Sequence, residues 1–199
     1  MGPSLLLVRH GESTWNAEHL LQGQLDPPLS QTGREQARGL AEMVGGLALP
    51  PERVVCSDLG RARETAELIG LEPGRFDAAW REIDVGEWGE RPAAEVDAES
   101  SELTNWRGGP RTAPDGETWV AFAARVAAAV DALAAASGDW LVVCHGGAIR
   151  AACAHLTGAD HLRIGSPPNA SVTTLELGGQ PRLMTYGVTP GSALPTGLY

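Results

Sequence analysis

The chain has 199 residues and a formal net charge of −10. That length fits one α/β domain with a full core, spanning residues 1–199. The acidic balance argues against a nucleic-acid-binding protein, because affinity for a phosphate backbone needs clustered positive side chains. No apolar run approaches membrane-spanning length and no basic flank precedes the first strand, so we expect a cytoplasmic protein with no membrane partner.

The positive side chains are all arginines, 15 in number, because the sequence contains no lysine. Arginine is suited to two-point recognition of phosphate groups. GC-rich coding explains most of this bias, so the count alone assigns no site. The cysteines show no metal-ligand spacing and two of them lie in or beside apolar runs, which predicts buried, reduced thiols. They are Cys56, Cys144 and Cys153.

Strand and helix patterns alternate along most of the chain. Three apolar runs predict buried strands, at residues 5–8, 53–56 and 140–144. Helical periodicity separates and follows them, and polar capping residues predict helix starts near Thr32, Ser57 and Asp115. A strand followed by a helix, repeated, predicts a three-layer α/β sandwich with a mostly parallel central sheet and helices on both faces.

Residues 80–116 are weakly periodic and too long for a simple connector. We expect this insertion to form an irregular, partly helical lid over the site, with Trp88 and Trp106 in its packing. Further along, apolar patterns predict two strands joined by a two-glycine turn, which fits a hairpin at the sheet edge. These strands are expected at residues 171–177 and 182–186.

Polar residues with reactive side chains follow the predicted strands or lie in the lid, and the carboxyl ends of parallel strands are where ligands bind. They are Arg9, His10, Arg61, Glu82 and His145. The set fits in-line phosphoryl transfer to a neutral His10 whose other ring nitrogen donates to a backbone carbonyl. Arg9 and Arg61 would hold phosphate oxygens, and His145 would donate as charge builds toward the leaving oxygen. This scheme requires neither a metal nor a cofactor.

Four segments resemble the motifs of the histidine phosphatase superfamily, which includes cofactor-dependent phosphoglycerate mutases and many small phosphatases. They are residues 9–16, 57–66, 81–90 and 144–147. The resemblance implies that His10 is the nucleophile and that His145 is the second catalytic histidine. It further implies that Arg61 binds phosphate and that Glu82 protonates the leaving oxygen. As a set the four segments are a specific match, whereas any one alone is weak.

One segment departs from the family pattern. That pattern usually places Glu-Gly after the tryptophan, whereas Trp88 is followed here by Gly89 and Glu90. Asp84 and Glu87 are nearby carboxylates and remain competing candidates for the acid. A general acid must keep its proton at the working pH, and closure of a lid over a carboxyl group can arrange this by desolvation.

Other polar residues have a functional and a structural interpretation. Asn16, Gln22, Gly23 and Gly146 are candidate substrate-binding residues, although Asn16 and Gln22 are equally suited to capping turns. Three arginines either extend the anion site or face solvent: Arg107, Arg111 and Arg150. Three histidines are expected to be structural: His19, His155 and His161. Zinc is disfavoured because no closely spaced ligand pair is present.

The phosphohistidine intermediate implied by the resemblance can be discharged by water or by a second hydroxyl group. In the mutases that this chain resembles, Asn stands where Gly147 stands here, and the lid carries a longer insertion with extra basic residues. We therefore expect a phosphomonoesterase that acts on a small organic phosphate ester. The alternatives are a bisphosphate-dependent phosphoglycerate mutase and a protein phosphohistidine phosphatase. The sequence leaves the oligomeric state open, with a homodimer among the options.

Overall fold

The computed structural model describes residues 2–47, 49–99 and 112–192. Its strands are β1 (Ser4–Arg9), β2 (Val54–Cys56), β3 (Arg75–Phe76), β4 (Trp140–Cys144), β5 (Val172–Glu176) and β6 (Arg182–Val188). Its α-helices are α1 (Thr14–Ala17), α2 (Gln31–Val44), α3 (Gly60–Ile69), α4 (Ala93–Ala98), α5 (Trp119–Ala135) and α6 (Gly146–Thr157). Within these described ranges, no helix combines the length and apolar character that crossing a bilayer would need.

The strands form one sheet with the order β3-β2-β4-β1-β5-β6. Neighbours from β3 to β1 run parallel, whereas β5 is antiparallel to both β1 and β6. The mostly parallel sheet and the edge hairpin are thus confirmed. The hairpin turn contains Gly179 at φ +61°, a conformation that glycine adopts without a steric penalty. The two-residue strand β3 was not predicted, because both of its side chains are exposed and leave no hydrophobic pattern.

Side chains of β1 alternate between two hydrophobic clusters, as the pleat of a strand requires. Leu5 packs in one cluster with Phe122 of α5 and Ile149 of α6. Val8 packs in the other with Leu40 of α2 and residues of α3. Both strand residues are fully buried. Helices therefore cover both faces of the sheet, which confirms the three-layer architecture.

The parallel strands β2, β4 and β1 are neighbours and end at the same edge of the sheet. Arg9, the last residue of β1, lies opposite Cys144, the last residue of β4. Cys56 ends β2 one position away in register, opposite Val143. The residues that follow these three ends are therefore brought together, and they are His10, Ser57 and His145.

Two helices begin at capping residues other than those predicted. The N-cap of α2 is Ser30, whose Oγ accepts a hydrogen bond of 2.9 Å from the Gly33 N–H, so the cap predicted near Thr32 was wrong. The N-cap of α5 is Thr118 rather than Asp115. Asp115 has a φ of +55°, which belongs to the turn before the helix.

The predicted cap of α3 was also wrong, for a reason that concerns the site. The helix begins after Leu59, which makes no side-chain cap bond. Ser57 places its hydroxyl 2.8 Å from His145 Nε2, and Asp58 accepts two hydrogen bonds from Arg81. Both polar side chains therefore make their short hydrogen bonds to distant residues, and the Leu59 N–H approaches Ser57 Oγ only at 3.4 Å.

The described parts of the predicted lid, residues 80–99 and 112–116, are partly helical and form a small hydrophobic cluster together with Leu21. Its members are Leu21, Val85, Trp88, Val96 and Ala113. The packing role expected for Trp88 is confirmed, since only 5% of this residue is exposed. Trp106, Arg107 and Arg111 lie outside the described residues.

Candidate active site

A cavity of about 190 Å³ lies at the carboxyl edge of the sheet, between the strand ends and the lid cluster. Seven of the predicted site residues line it: Arg9, His10, Asn16, Gln22, Gly23, Arg61 and Glu82. Two others do not form its wall. The His145 ring packs against the His10 ring, and Gly146 packs beside the Arg9 guanidinium. The fold thus gathers residues from four separate stretches of sequence around one space.

His10 is buried, with 3% of its surface exposed, and its Nδ1 lies 2.7 Å from the Gly11 carbonyl oxygen. A carbonyl can only accept, so Nδ1 carries the hydrogen and Nε2 keeps the lone pair. Burial lowers the pKa of His10 well below its usual 6.5, and the positive charges of Arg61 and Arg9 lower it further. The imidazole is therefore neutral at pH 7 and can act as a nucleophile through Nε2.

His145 is fully buried, and its ring centroid lies 5.1 Å from that of His10. Ser57 Oγ accepts from the Leu59 N–H at 3.4 Å and lies 2.8 Å from His145 Nε2, a contact in which either group can donate. In the tautomer in which Ser57 donates to Nε2, the hydrogen of the neutral ring resides on Nδ1, which has no partner among the described residues. Burial, followed by the charge of Arg61, lowers the pKa of His145 well below its usual value. His145 can therefore donate one further hydrogen bond through Nδ1.

Arg61 lies on the first turn of α3 and is 1% exposed. Its Nη1 donates to the Leu25 carbonyl and its Nη2 to the Gly23 carbonyl, each at 2.7 Å. Asp26 approaches Nη1 at 3.4 Å. The carbonyls fix the plane of the guanidinium, while its buried Nε has no partner among the described residues.

Arg9 provides a second guanidinium in a similar state. Its Nη1 donates to the Pro167 carbonyl, and its buried Nε has no partner within the described ranges. Burial lowers the pKa of both Arg9 and Arg61, and the negative charge of Glu82 opposes that effect. Buried cations with unsatisfied donors are costly unless an anion accepts from them. The two arginines therefore make the space beside His10 a candidate anion site.

Glu82 lies half-buried on the opposite wall, in a stretch that is neither helix nor strand. Its Oε2 accepts from the Gly147 N–H and its Oε1 from the Ile83 N–H, both at 2.9 Å. A Cβ atom at position 147 would collide with this carboxylate, so the glycine makes room for it. Of the competing carboxylates, Asp84 lines the cavity and accepts from the Gly86 N–H, whereas Glu87 is exposed and is not part of the wall.

Asn16 and Gln22 have structural contacts although they line the cavity. Asn16 forms a reciprocal capping box with Ser13 at the start of α1, and Ser13 also donates to Gln22 Oε1 at 2.9 Å. Arg150 lines the cavity too, but it donates to the carbonyls of His161 and Ile164. The three histidines predicted to be structural are absent from the wall that these described residues form.

Several residues near the site were not assigned to it from the sequence. Ser57 lies within a quoted motif but was taken as a helix cap. Thr65, in the same motif, accepts from the Gly11 N–H at 3.0 Å and so ties the turn after β1 to α3. Asn169 donates to the carbonyl of His10 at 3.2 Å from a loop 159 residues away in sequence. The segment 169–171 resembles a feature of the phosphatase branch, but its sequence alone did not place it in the site, because contacts between distant loops leave no local pattern. No group of three or more potential metal ligands occurs in the described part of the chain.

The fold and the cavity together define a class: an α/β protein with a histidine and arginine anion site at the carboxyl edge of its sheet. The sequence model of the histidine phosphatase superfamily (branch 1) matches residues 5–188, and the chain belongs to this superfamily. The family resemblance of the four motifs is thereby confirmed.

Relatives within the superfamily carry two kinds of name. The chain is 36% identical over 189 residues to a glucosyl-3-phosphoglycerate phosphatase of Mycobacterium tuberculosis, covering 86% of this chain and 84% of that protein. It is 41% identical over 133 residues to a probable phosphoglycerate mutase of Citrobacter koseri, covering 62% of this chain and 60% of that protein. The aligned stretch thus spans less than two thirds of the relative named as a mutase.

A solved structure gives the same fold. That of a mycobacterial glucosyl-3-phosphoglycerate phosphatase in complex with VO3 superposes with a TM-score of 0.81 at 33% identity, covering 94% of this chain and 100% of that one. The family and these relatives support a phosphatase or mutase activity for this chain.

Proposed function

We propose that this protein is a metal-independent phosphomonoesterase that hydrolyses a small organic phosphate ester through a phosphohistidine on His10. The observation that carries the proposal is the anion site itself. Two buried guanidinium groups, whose Nε atoms lack a partner among the described residues, flank a neutral histidine whose Nδ1 is held by the Gly11 carbonyl. A phosphate bound by Arg9 and Arg61 would meet His10 Nε2 as the nucleophile.

In the first step, His10 Nε2 forms a bond to phosphorus while the bond from phosphorus to the ester oxygen breaks. The electron pair of that bond stays on the leaving oxygen, which takes a proton from the Glu82 carboxyl group. Arg9, Arg61 and His145 Nδ1 donate to the phosphoryl oxygens as charge redistributes in the transition state. The products of this step are an alcohol, a phosphorylated His10 and an ionised Glu82.

In the second step, water attacks the phosphorus of the phosphohistidine. Glu82, now a carboxylate, takes a proton from the water, and the bond from phosphorus to His10 Nε2 breaks with its electrons returning to the ring. Inorganic phosphate leaves and both residues regain their initial states. The same group therefore acts as the acid in one step and as the base in the next.

Water is preferred to a second hydroxyl group as the acceptor for two reasons. Gly147 stands where the resembling mutases carry Asn, and the relative named as a phosphatase aligns over far more of its length than the one named as a mutase. That phosphatase, named for glucosyl-3-phosphoglycerate, makes phosphorylated sugar acids a reasonable first group of substrates to assay. A bisphosphate-dependent mutase is the second candidate.

The test measures phosphate release from a panel of aryl, sugar and glycerate phosphates, with and without a divalent-cation chelator. We expect turnover that needs no bisphosphate and survives chelation, and that falls by about 10⁴-fold or more in His10→Ala. His155→Ala is the matched control, because His155 pairs with Asp131 outside the cavity wall. An absolute requirement for a bisphosphate, together with isomerisation of 3-phosphoglycerate, would replace this proposal with the mutase.

A further inference from the structure

Glu82 occupies a stretch without regular secondary structure, residues 81–85, so neither a helix nor a strand fixes its direction. On its amino-terminal side the stretch is anchored by Trp80, which is fully buried in the core cluster under α5. Beyond that residue, Ile83 and Val85 pack against hydrophobic clusters, while polar contacts hold the backbone carbonyls and N–H groups around Glu82. The described contacts that do this come largely from one side chain, Arg125 on α5.

The Arg125 guanidinium is surrounded by acceptors from the acid-bearing stretch. Its Nη1 donates to three backbone carbonyls, those of Ala79 at 2.9 Å, Arg81 at 3.2 Å and Ala78 at 3.3 Å. Its Nη2 approaches the carbonyl of Glu82 itself at 3.4 Å. The guanidinium carries its donors on three nitrogens in a fixed plane, whereas an ammonium group carries three donors on a single atom and cannot span the same set of acceptors.

Glu117 completes the arrangement from the other side of the stretch. Its two carboxylate oxygens accept from Arg125 Nε at 3.0 Å and Nη2 at 2.7 Å. The Glu117 N–H donates to the Asp84 carbonyl at 2.9 Å, and Glu117 Oε2 accepts weakly from the Asp84 N–H at 3.4 Å. Arg125 and Glu117 thus contact the backbone on both sides of Glu82, from residue 78 to residue 84.

The donors of Arg125 are all directed to protein acceptors, and its positive charge is matched by the Glu117 carboxylate. Arg125 does not line the cavity, although Glu117 does. The arginine is therefore poorly placed to bind a substrate phosphate directly. Any effect that it has on the reaction must pass through the backbone that it holds or through its charge.

We propose that Arg125 and Glu117 form a positioning pair that aims the Glu82 carboxyl group at the leaving oxygen. The inference rests on the proposed function, in which Glu82 is the general acid. Without the pair, the backbone of residues 81–84 would sample more orientations, and proton delivery would become slow. Poor leaving groups, such as alkoxides, would suffer most, because they depend on that proton.

The experiment compares kcat/KM for an alkyl and an aryl phosphate in Arg125→Met, Arg125→Lys, Glu117→Gln and Glu82→Gln. In Arg125→Met we expect a loss of about 10²-fold for the alkyl ester and of less than about 5-fold for the aryl ester, since general acid catalysis contributes on that scale. In the double variant of Arg125→Met and Glu82→Gln, the ratio of kcat/KM for the alkyl ester to kcat/KM for the aryl ester should equal the ratio in Glu82→Gln alone. The matched control is Arg182→Met, which breaks an ion pair with Glu176 on the hairpin.

The lysine variant separates position from charge. Arg125 contributes to the low pKa of His145, and lysine keeps that positive charge without the fork. In Arg125→Lys and in Glu117→Gln we expect a smaller fall in kcat/KM than in Arg125→Met, again selective for the alkyl ester. Full recovery in the lysine variant, or an equal loss for both esters, would overturn the positioning role.

Failure of the inference can be told apart from failure of the proposed function. If Glu82→Gln is selective for alkyl esters and the Arg125 and Glu117 variants are not, the positioning pair alone is refuted. If Glu82→Gln shows no selectivity, the acid assignment falls and the pair falls with it. Should Arg125→Met fail to fold, the lysine and glutamine variants decide the question by the same ratio.

Discussion

The sheet edge and the acid-bearing stretch hold their side chains by different means. His10 follows β1, whose Leu5, Leu7 and Val8 are buried, His145 follows β4, which is buried throughout, and both histidines are themselves buried. Glu82 is half-buried on an irregular stretch and depends on polar contacts with Gly147, Ile83 and the backbone around it. The proposed phosphate-binding region is thus held by the buried sheet edge, whereas the proposed proton donor is held by a few hydrogen bonds. Changes to the first should remove activity toward every ester, and changes to the second should alter the dependence on the leaving group.

The first prediction concerns the sheet edge. In Arg61→Lys, kcat/KM should fall by about 10²- to 10³-fold for aryl and alkyl esters alike, because a lysine loses the fork held by the Gly23 and Leu25 carbonyls. Arg34→Lys, which alters a partly exposed ion pair with Glu64, should stay within a few-fold of the parent. A loss of kcat/KM confined to alkyl esters would show that Arg61 affects the proton donor rather than the bound phosphate.

The sheet edge is also the region that the sequence predicted well. Unbroken apolar runs identify buried strands, and the histidines follow directly after them, so the positions of His10 and His145 could be read along the chain. The contacts around Glu82 could not, because Arg125 lies 43 residues further along the chain than the acid that it surrounds. The Ser57 side chain was misjudged for the same reason, since its local sequence suits a helix cap and only the tertiary structure offers it His145.

The second prediction concerns the acid-bearing stretch. Gly147→Ala adds a Cβ atom where the Glu82 carboxylate lies, so the carboxylate must move. We expect about a tenfold loss of kcat/KM for alkyl esters and little change for aryl esters. Alanine has a higher helix propensity than glycine, so the substitution should not unfold α6.

The matched control for this variant is Gly45→Ala at the end of α2, where an added Cβ atom meets nothing within 4 Å. It should leave both rates unchanged. Equal losses for both esters in Gly147→Ala, with Gly45→Ala silent, would mean that position 147 shapes the phosphate site rather than the acid.

The third prediction concerns stability rather than catalysis. The folded state keeps His10 and His145 neutral because their pKa values are lowered, whereas the unfolded chain protonates them below about pH 6.5. Unfolding then takes up protons, so the free energy of unfolding should decrease as the pH falls from 6.5 toward 5. The slope should be about 1.4 kcal/mol per pH unit for each histidine.

Urea unfolding of the parent and of His145→Gln over this pH range measures that slope. The variant should show a shallower dependence by about one proton, because one of the two groups has been removed. An unchanged slope would indicate that His145 titrates alike in the folded and unfolded states, contrary to its burial among the arginines.

A phosphohistidine on His10 is tested most directly by a rapid quench of the protein during turnover of a ³²P-labelled phosphate ester. We expect a covalent label that is stable in alkali, is released by acid and maps to His10, and that is absent from His10→Ala. Steady turnover without any such label, or a label on another residue, would contradict a phosphoryl group carried by the imidazole at the end of β1.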